Sequence, residues 1–256
     1  MRRRLASLYL CLLCVLLTGC DITSATEAPA TPKGGWSLVA LGDSVPSGYA
    51  CDCTPYPQLS ASQLSPHKRP PVTASNDAVA GYTSADVLHQ LGDASQVITD
   101  VQGARVVAVE IGANDVAHSS SCGNEPACYL PKVPEIEANL RAIVLRLHQL
   151  AARHHVDVVL LDYWNVWLGG KYAREQGQAY VDAADAVTDR VNTAIRDVAA
   201  QTGSGYVDVR AAFKGPDYRY DETHFLAPDG DHPNAAGHRE IAKALTAVVQ
   251  KHLQLT

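Results

Sequence analysis

The sequence has 256 residues, enough for one large domain or two small ones. Apolar residues make up 46% and charged residues 19%, which supports a full buried core and excludes a chain disordered by composition. Acids outnumber bases 27 to 21, a net charge of -6 that argues against nucleic acid as the main partner.

Read in chain order, Arg2, Arg3 and Arg4 form a basic start without an acid. Leu5 to Leu17 is apolar and too short for a comfortable permanent span. Thr18 and Gly19 then put small residues just before Cys20, as a signal peptidase requires. Leu17-Thr18-Gly19-Cys20 resembles the lipobox of bacterial lipoproteins. The resemblance implies a signal peptide over 1–19, a lipidated Cys20 as first mature residue, and a membrane anchor facing outside the cytoplasm. The competing reading is an ordinary secretory signal with a chance cysteine. Loss of residues 1–19 removes three arginines and shifts the net charge from -6 to -9. Residues 20–35 read as a flexible tether, and 36–256 as a single domain.

Trp36 to Leu41 is a short apolar run ending in Gly42-Asp43-Ser44, a buried strand entering a tight turn. Residues 51–71 hold five prolines and read as a loop. Val72–Val79 is expected as a strand, Thr83–Leu91 as a helix, and Arg105–Ile111 as a strand closed by Gly112. A long loop follows at 113–134, a length often tied to function. Glu135–His154 has helical spacing, with Ile136, Leu140, Ile143, Val144 and Leu147 on one face. Val156–Leu161 reads as a strand, Gln178–Gln201 as a helix and Tyr206–Val209 as a fifth strand. A last helix is expected from Pro233, at its first position, to near Leu253. Strands alternating with helices predict an α/β fold with a parallel sheet of about five strands, covered on both faces. Right-handed crossovers make this a three-layer α/β/α sandwich, whose ligands bind beyond the carboxyl ends of the strands.

Four cysteines remain in the expected domain: Cys51, Cys53, Cys122 and Cys128. In an exported protein they suggest two disulfides. Cys122–Cys128 closes easily within one segment. That leaves Cys51 to Cys53, a cramped ring, unless two cross-bridges join the segments instead. A zinc site fits Cys-x-Cys in an oxidising compartment less well.

Residues of chemical type fall at the strand ends: Ser44, Gly81, Asn114 and His232. A serine hydroxyl needs a base, and His232 is the candidate. Asp229, three residues earlier, can orient that imidazole across one turn. The N–H groups of Ser44 and Gly81 and the Asn114 amide can receive a developing oxyanion. Four segments together resemble the GDSL, or SGNH, hydrolase family: Gly42-Asp43-Ser44, Asn76 to Gly81, Gly112-Ala113-Asn114-Asp115, and Asp229-x-x-His232. They occur in family order across residues 42–232. Val45 stands where the name-giving motif has leucine. The resemblance implies a flavodoxin-like sandwich. It also implies a serine esterase or lipase needing no metal or other cofactor, with Ser44, His232 and Asp229 as triad and Ser44, Gly81 and Asn114 as oxyanion hole. The substrate would be a small-molecule or lipid ester.

Each residue also has a structural reading. Ser44 can cap a helix, Asn114 and Asp115 can make a turn, Gly81 can be only a turn, and Asp43 can hold one. His118, His154, His155, His224 and His238 read as surface or structural. Glu110, on a strand, is expected to pair with a base. Trp164 and Trp167 suit either a substrate wall or loop packing. Three other functions compete: a transacylase on the same scaffold, a binding lipoprotein without turnover, and a metal-dependent phosphoesterase. The last would use Asp43, Asn114, Asp229, Asp231 and His232 as ligands, leaving Ser44 idle.

Overall fold

Among the described residues five parallel strands run side by side, and the three central ones, apolar and buried, leave no face to water, while the polar edge strand Thr73–Asn76 stays partly exposed. The computed structural model describes residues 36–65 and 71–253. The signal peptide, Cys20 and the tether, expected at 1–35, lie outside the described residues. In chain order the elements are β1 (Ser37–Gly42), α1 (Ser44–Ser47), α2 (Tyr56–Leu64), β2 (Thr73–Asn76), α3 (Ser84–Asp93), α4 (Ser95–Gly103), β3 (Ala104–Glu110) and α5 (Pro126–Tyr129). They continue with α6 (Val133–Leu150), β4 (Asp157–Leu161), α7 (Gly170–Glu175), α8 (Gln178–Thr202), β5 (Gly205–Val207), α9 (Val209–Lys214) and α10 (Ala235–His252).

The strand order is β2-β1-β3-β4-β5 and every pairing is parallel. Leu38 to Leu41 of β1 and Val106 to Val109 of β3 are buried. Full burial of such side chains contributes about 1.5–3 kcal/mol each. Helices α2, α9 and α10 cover one face, and α3, α4, α6 and α8 the other. The expected stripe of α6 faces inward, with Ile136, Leu140, Ile143, Val144 and Leu147 all buried. Strand order reverses at β1, because β2 lies on one side and β3 on the other. A crevice therefore opens between the carboxyl ends of β1 and β3, where the next two connections diverge.

Three local expectations are corrected. The proline-rich stretch 51–71 is not all loop, because α2 begins at Tyr56 with Pro57 in its first turn. First-turn N–H groups have no intrahelical partner, so a proline there breaks nothing. The 113–134 segment contains α5 and two 3-10 turns and ends inside α6. The last helix starts at Ala235 rather than Pro233; Asn234 caps it, its side chain accepting from Ala236 and Gly237 N–H. Pro233 instead bridges Leu226 in an antiparallel contact. Helix α4 had no signal in the sequence reading. Its single buried pair, Val97 and Val101, gives little periodicity.

Both local disulfides are present, Cys51–Cys53 and Cys122–Cys128. No cross-bridge joins the two segments.

Candidate active site

β1 delivers the serine. Gly42 has φ +143°, and a Cβ there would lie 2.0 Å from the Glu110 carbonyl oxygen, so only glycine lets β1 turn this close to β3. Asp43 follows and caps α1, accepting the Val45 N–H at 3.0 Å and the Tyr163 hydroxyl at 2.6 Å. Burial pushes its carboxyl up to about 6, against the pull of those two donors. Ser44 is the first residue of that turn, with its hydroxyl in the crevice.

The histidine arrives on a turn before α10. Asp229 Oδ1 accepts the N–H groups of Asp231 and His232, both at 3.1 Å. Its Oδ2 lies 2.8 Å from His232 Nδ1, and His232 Nε2 lies 2.9 Å from Ser44 Oγ. Burial works to raise the Asp229 carboxyl, but the His232 N–H, its imidazole and the Asp231 N–H outweigh it and hold the group below its ordinary value. Gly230, at φ +76°, makes the turn; a Cβ there would meet the Tyr172 ring at 2.4 Å. The Gly230 carbonyl is pinned by the Gly169 N–H at 2.8 Å.

Asn114 lines the same cavity as Ser44 and His232. One of its amide hydrogens goes to the Tyr82 carbonyl at 2.9 Å, which leaves the second for a ligand. That bond ties the loop after β3 to the residue following Gly81. Gly81 itself sits on the exposed turn after β2 with φ +88° and open space around its Cα. Asp115 holds the Ser84 hydroxyl and N–H at 2.6 and 2.9 Å.

Several expectations change at this level. Among the described residues Glu110 has no base beside it. Both of its carboxylate oxygens are buried without a hydrogen-bond partner, and burial together with the Asp43 charge raises it well above the usual range. His118 is exposed, as a surface histidine should be, with Nε2 3.2 Å from Asn124 Oδ1, but it also lines the cavity and stands edge-on to Trp167 at 4.8 Å. His238 is fully buried, its Nδ1 accepting the Tyr56 N–H at 3.3 Å, and burial lowers it to about 4. Trp164 and Trp167 are both core and wall, 1% and 3% exposed yet lining the cavity. Sequence reasoning did not single out Tyr49, whose ring packs 4.9 Å from His232, or Tyr163 as the Asp43 partner. Neither has a local signal, since both contacts depend on the fold.

Among the described residues, the only close trio of His, Cys, Asp or Glu ligand atoms is Cys51, Cys53 and His238. The two sulfurs there are bonded to each other. The acids around His232 do not converge on one point.

A parallel sandwich of order 2-1-3-4-5, with serine, histidine and aspartate in hydrogen-bonded line beyond its strand ends, defines the class: an SGNH-type carboxylic ester hydrolase. The chain belongs to the GDSL-like lipase/acylhydrolase family, which it matches over residues 40–240. Lipase 1 of Streptomyces coelicolor is 28% identical over 228 residues, 78% of this chain and 80% of that protein. Similar solved structures include a lipase from a goat rumen metagenome, with a TM-score of 0.64 and 16% identity over 83% of this chain and 97% of that one. A catalytic mutant of an acetylxylan esterase from Geobacillus stearothermophilus has a TM-score of 0.61 and 21% identity, covering 87% and 96%. Phospholipase A1 from Streptomyces albidoflavus has a TM-score of 0.59 and 24% identity, covering 84% and 100%.

Proposed function

We propose that the protein is an exported, lipid-anchored serine esterase working through an acyl-enzyme. The observation that carries this reading is the unbroken line from Asp229 through His232 to Ser44, with contacts of 2.8 and 2.9 Å. Ser44 Oγ attacks the ester carbonyl while His232 Nε2 takes its proton. His232 returns that proton to the leaving alcohol. Asp229 keeps the Nδ1 proton in place and stabilises the imidazolium. The N–H groups of Ser44 and Gly81 and the free Asn114 amide hydrogen receive the oxyanion. Water, activated by His232, then releases the acid and restores the serine. No step calls for a metal or other cofactor.

Small-molecule and lipid esters are the substrate class in this reading, in keeping with the lipases, acetylxylan esterase and phospholipase A1 that the chain resembles. Export and anchoring rest on the basic start, the apolar run and Cys20. The test is hydrolysis of p-nitrophenyl esters from acetate to palmitate, with and without EDTA, beside Ser44→Ala. Activity that resists EDTA and disappears in Ser44→Ala supports the mechanism. Activity that survives Ser44→Ala and is lost with EDTA overturns it. Labelling with a palmitate analogue in wild type but not in Cys20→Ala tests the anchor.

A further inference from the structure

The cavity beside Ser44 has a volume of about 330 Å³, and among the described residues neither lysine nor arginine lines it. Two carboxylates do, besides the triad histidine: Asp43 and Asp231. Asp43 is spent on Tyr163 and Val45. Asp231 is not. Its N–H goes to Asp229, while its carboxylate takes part in no hydrogen bond or ion pair among the described residues. Aromatic side chains line the same cavity. Tyr180 lines the same cavity, and the Asp231 charge adds to burial in raising the Tyr180 hydroxyl, so the two are in electrostatic reach. Trp167 stands 5.5 Å from Tyr180 and 4.8 Å from His118. A half-buried carboxylate without a donor is costly to keep in a cleft. Aromatic faces beside a carboxylate form the chemistry that receives a weakly hydrated cation.

We propose that this cavity selects esters carrying an ammonium centre, with Asp231 as the counter-charge and Trp167 and Tyr180 as the aromatic faces. The proposal rests on the serine-esterase reading above. The reaction itself is unchanged: the Ser44 Oγ–acyl bond forms, the acyl–alkoxy bond breaks, and the proton passes through His232 to the alcohol. The ammonium takes no part in bond making. Esters bearing a phosphate or carboxylate near the scissile bond meet the Asp231 charge, with no lysine or arginine of the described lining to offset it, and are disfavoured.

The test compares each cationic ester with its neutral isostere. Acetylcholine against 3,3-dimethylbutyl acetate probes a cation on the alcohol. The p-nitrophenyl ester of 4-(trimethylammonio)butyrate against that of 5,5-dimethylhexanoate probes a cation on the acyl group. The readout is the ratio of kcat/KM within each pair, for wild type, Asp231→Asn and Asp231→Glu, so a general loss of rate cancels. One pair is expected to favour the cation by about tenfold or more, a preference that collapses in Asp231→Asn and partly returns in Asp231→Glu. Ratios near one for both pairs in wild type, or a preference that survives Asp231→Asn, overturn the proposal. Hydrolysis of p-nitrophenyl acetate alongside separates this failure from failure of the serine mechanism. Choline binding to Ser44→Ala, followed by tryptophan fluorescence, tests the cation site without turnover. Binding that is lost when Asp231→Asn is added supports it, and no binding together with ratios near one counts against it.

Discussion

Tyr163 donates its hydroxyl to Asp43 Oδ2 at 2.6 Å, across 120 residues of chain. Asp43 also caps the turn that starts with Ser44, so the loop after β4 holds the candidate nucleophile through one carboxylate. Tyr163→Phe leaves that buried carboxylate with the Val45 N–H alone. Loss of one partner to a buried polar group should destabilise the fold by about 1–3 kcal/mol, measurable by urea unfolding. The Asp43 carboxyl then rises further above its present value of about 6. Because Ser44 loses its fixed position rather than its chemistry, kcat should fall about ten- to a hundredfold with KM little changed. An unchanged kcat would show that Asp43 holds the turn without Tyr163.

Glu110 offers a test through pH. Its carboxyl is fully buried, and burial with the nearby Asp43 charge holds it well above its ordinary value of 4.5 in the folded protein, while the unfolded chain ionises it near that value. Folded protein therefore binds more protons than unfolded protein as pH rises past that point. The contribution of this group is therefore largest in acid and declines towards neutral pH, by about 1.4 kcal/mol per unit until its raised folded value is reached. Glu110→Gln lacks the group and its slope. At pH 4 the two proteins should differ by about 1 kcal/mol or less. At pH 7 Glu110→Gln should have gained relative to wild type. Parallel curves of stability against pH would mean that Glu110 is ionised when folded.

Two glycines at strand ends should respond very differently to alanine. At Gly42 the added Cβ meets the Glu110 carbonyl oxygen at 2.0 Å, backbone that cannot swing aside. Gly42→Ala should cost more than about 4 kcal/mol, or prevent folding. At Gly81 nothing lies within 4 Å, and only the positive φ of 88° is strained. Gly81→Ala should cost about 1–2 kcal/mol and keep its N–H in place. Thermal unfolding of the pair separates them. Equal losses would show that conformation rather than contact decides at Gly42.

The layering and much of the site could be read from the sequence because both are local. The central strands are apolar runs, and candidate groups follow them by a few residues, as Ser44 follows β1 and Asn114 follows β3. The Asp229–His232 contact closes within one turn, so spacing alone suggested it. What escaped is what depends on distant chain. Helix α2 was hidden by prolines that sit where a helix tolerates them. Glu110 looked in need of a base, but the fold surrounds it with Asp43 and Tyr56 instead. Tyr49 reaches His232 across more than 180 residues of sequence, and nothing in its neighbours records that.

Asp229 supplies the sharpest test of the relay. Its side chain is 37% exposed, yet Oδ1 accepts two backbone N–H groups and Oδ2 faces His232 Nδ1, so its orientation is fixed by the turn rather than by burial. In Asp229→Asn the amide oxygen can keep the backbone bonds. The amide nitrogen then faces Nδ1 and donates to it. That forces the imidazole proton onto Nε2, where it points at Ser44 and cannot accept the serine proton. The fold should be nearly unaffected, because the turn survives. Rate should not survive: kcat should drop by about 10²–10⁴-fold, with KM little changed. Asp229→Ala, by contrast, loses the turn as well, so its unfolding midpoint should fall along with its rate. Near wild-type kcat in Asp229→Asn would mean that His232 takes the proton without help from Asp229, leaving the aspartate as a turn residue alone.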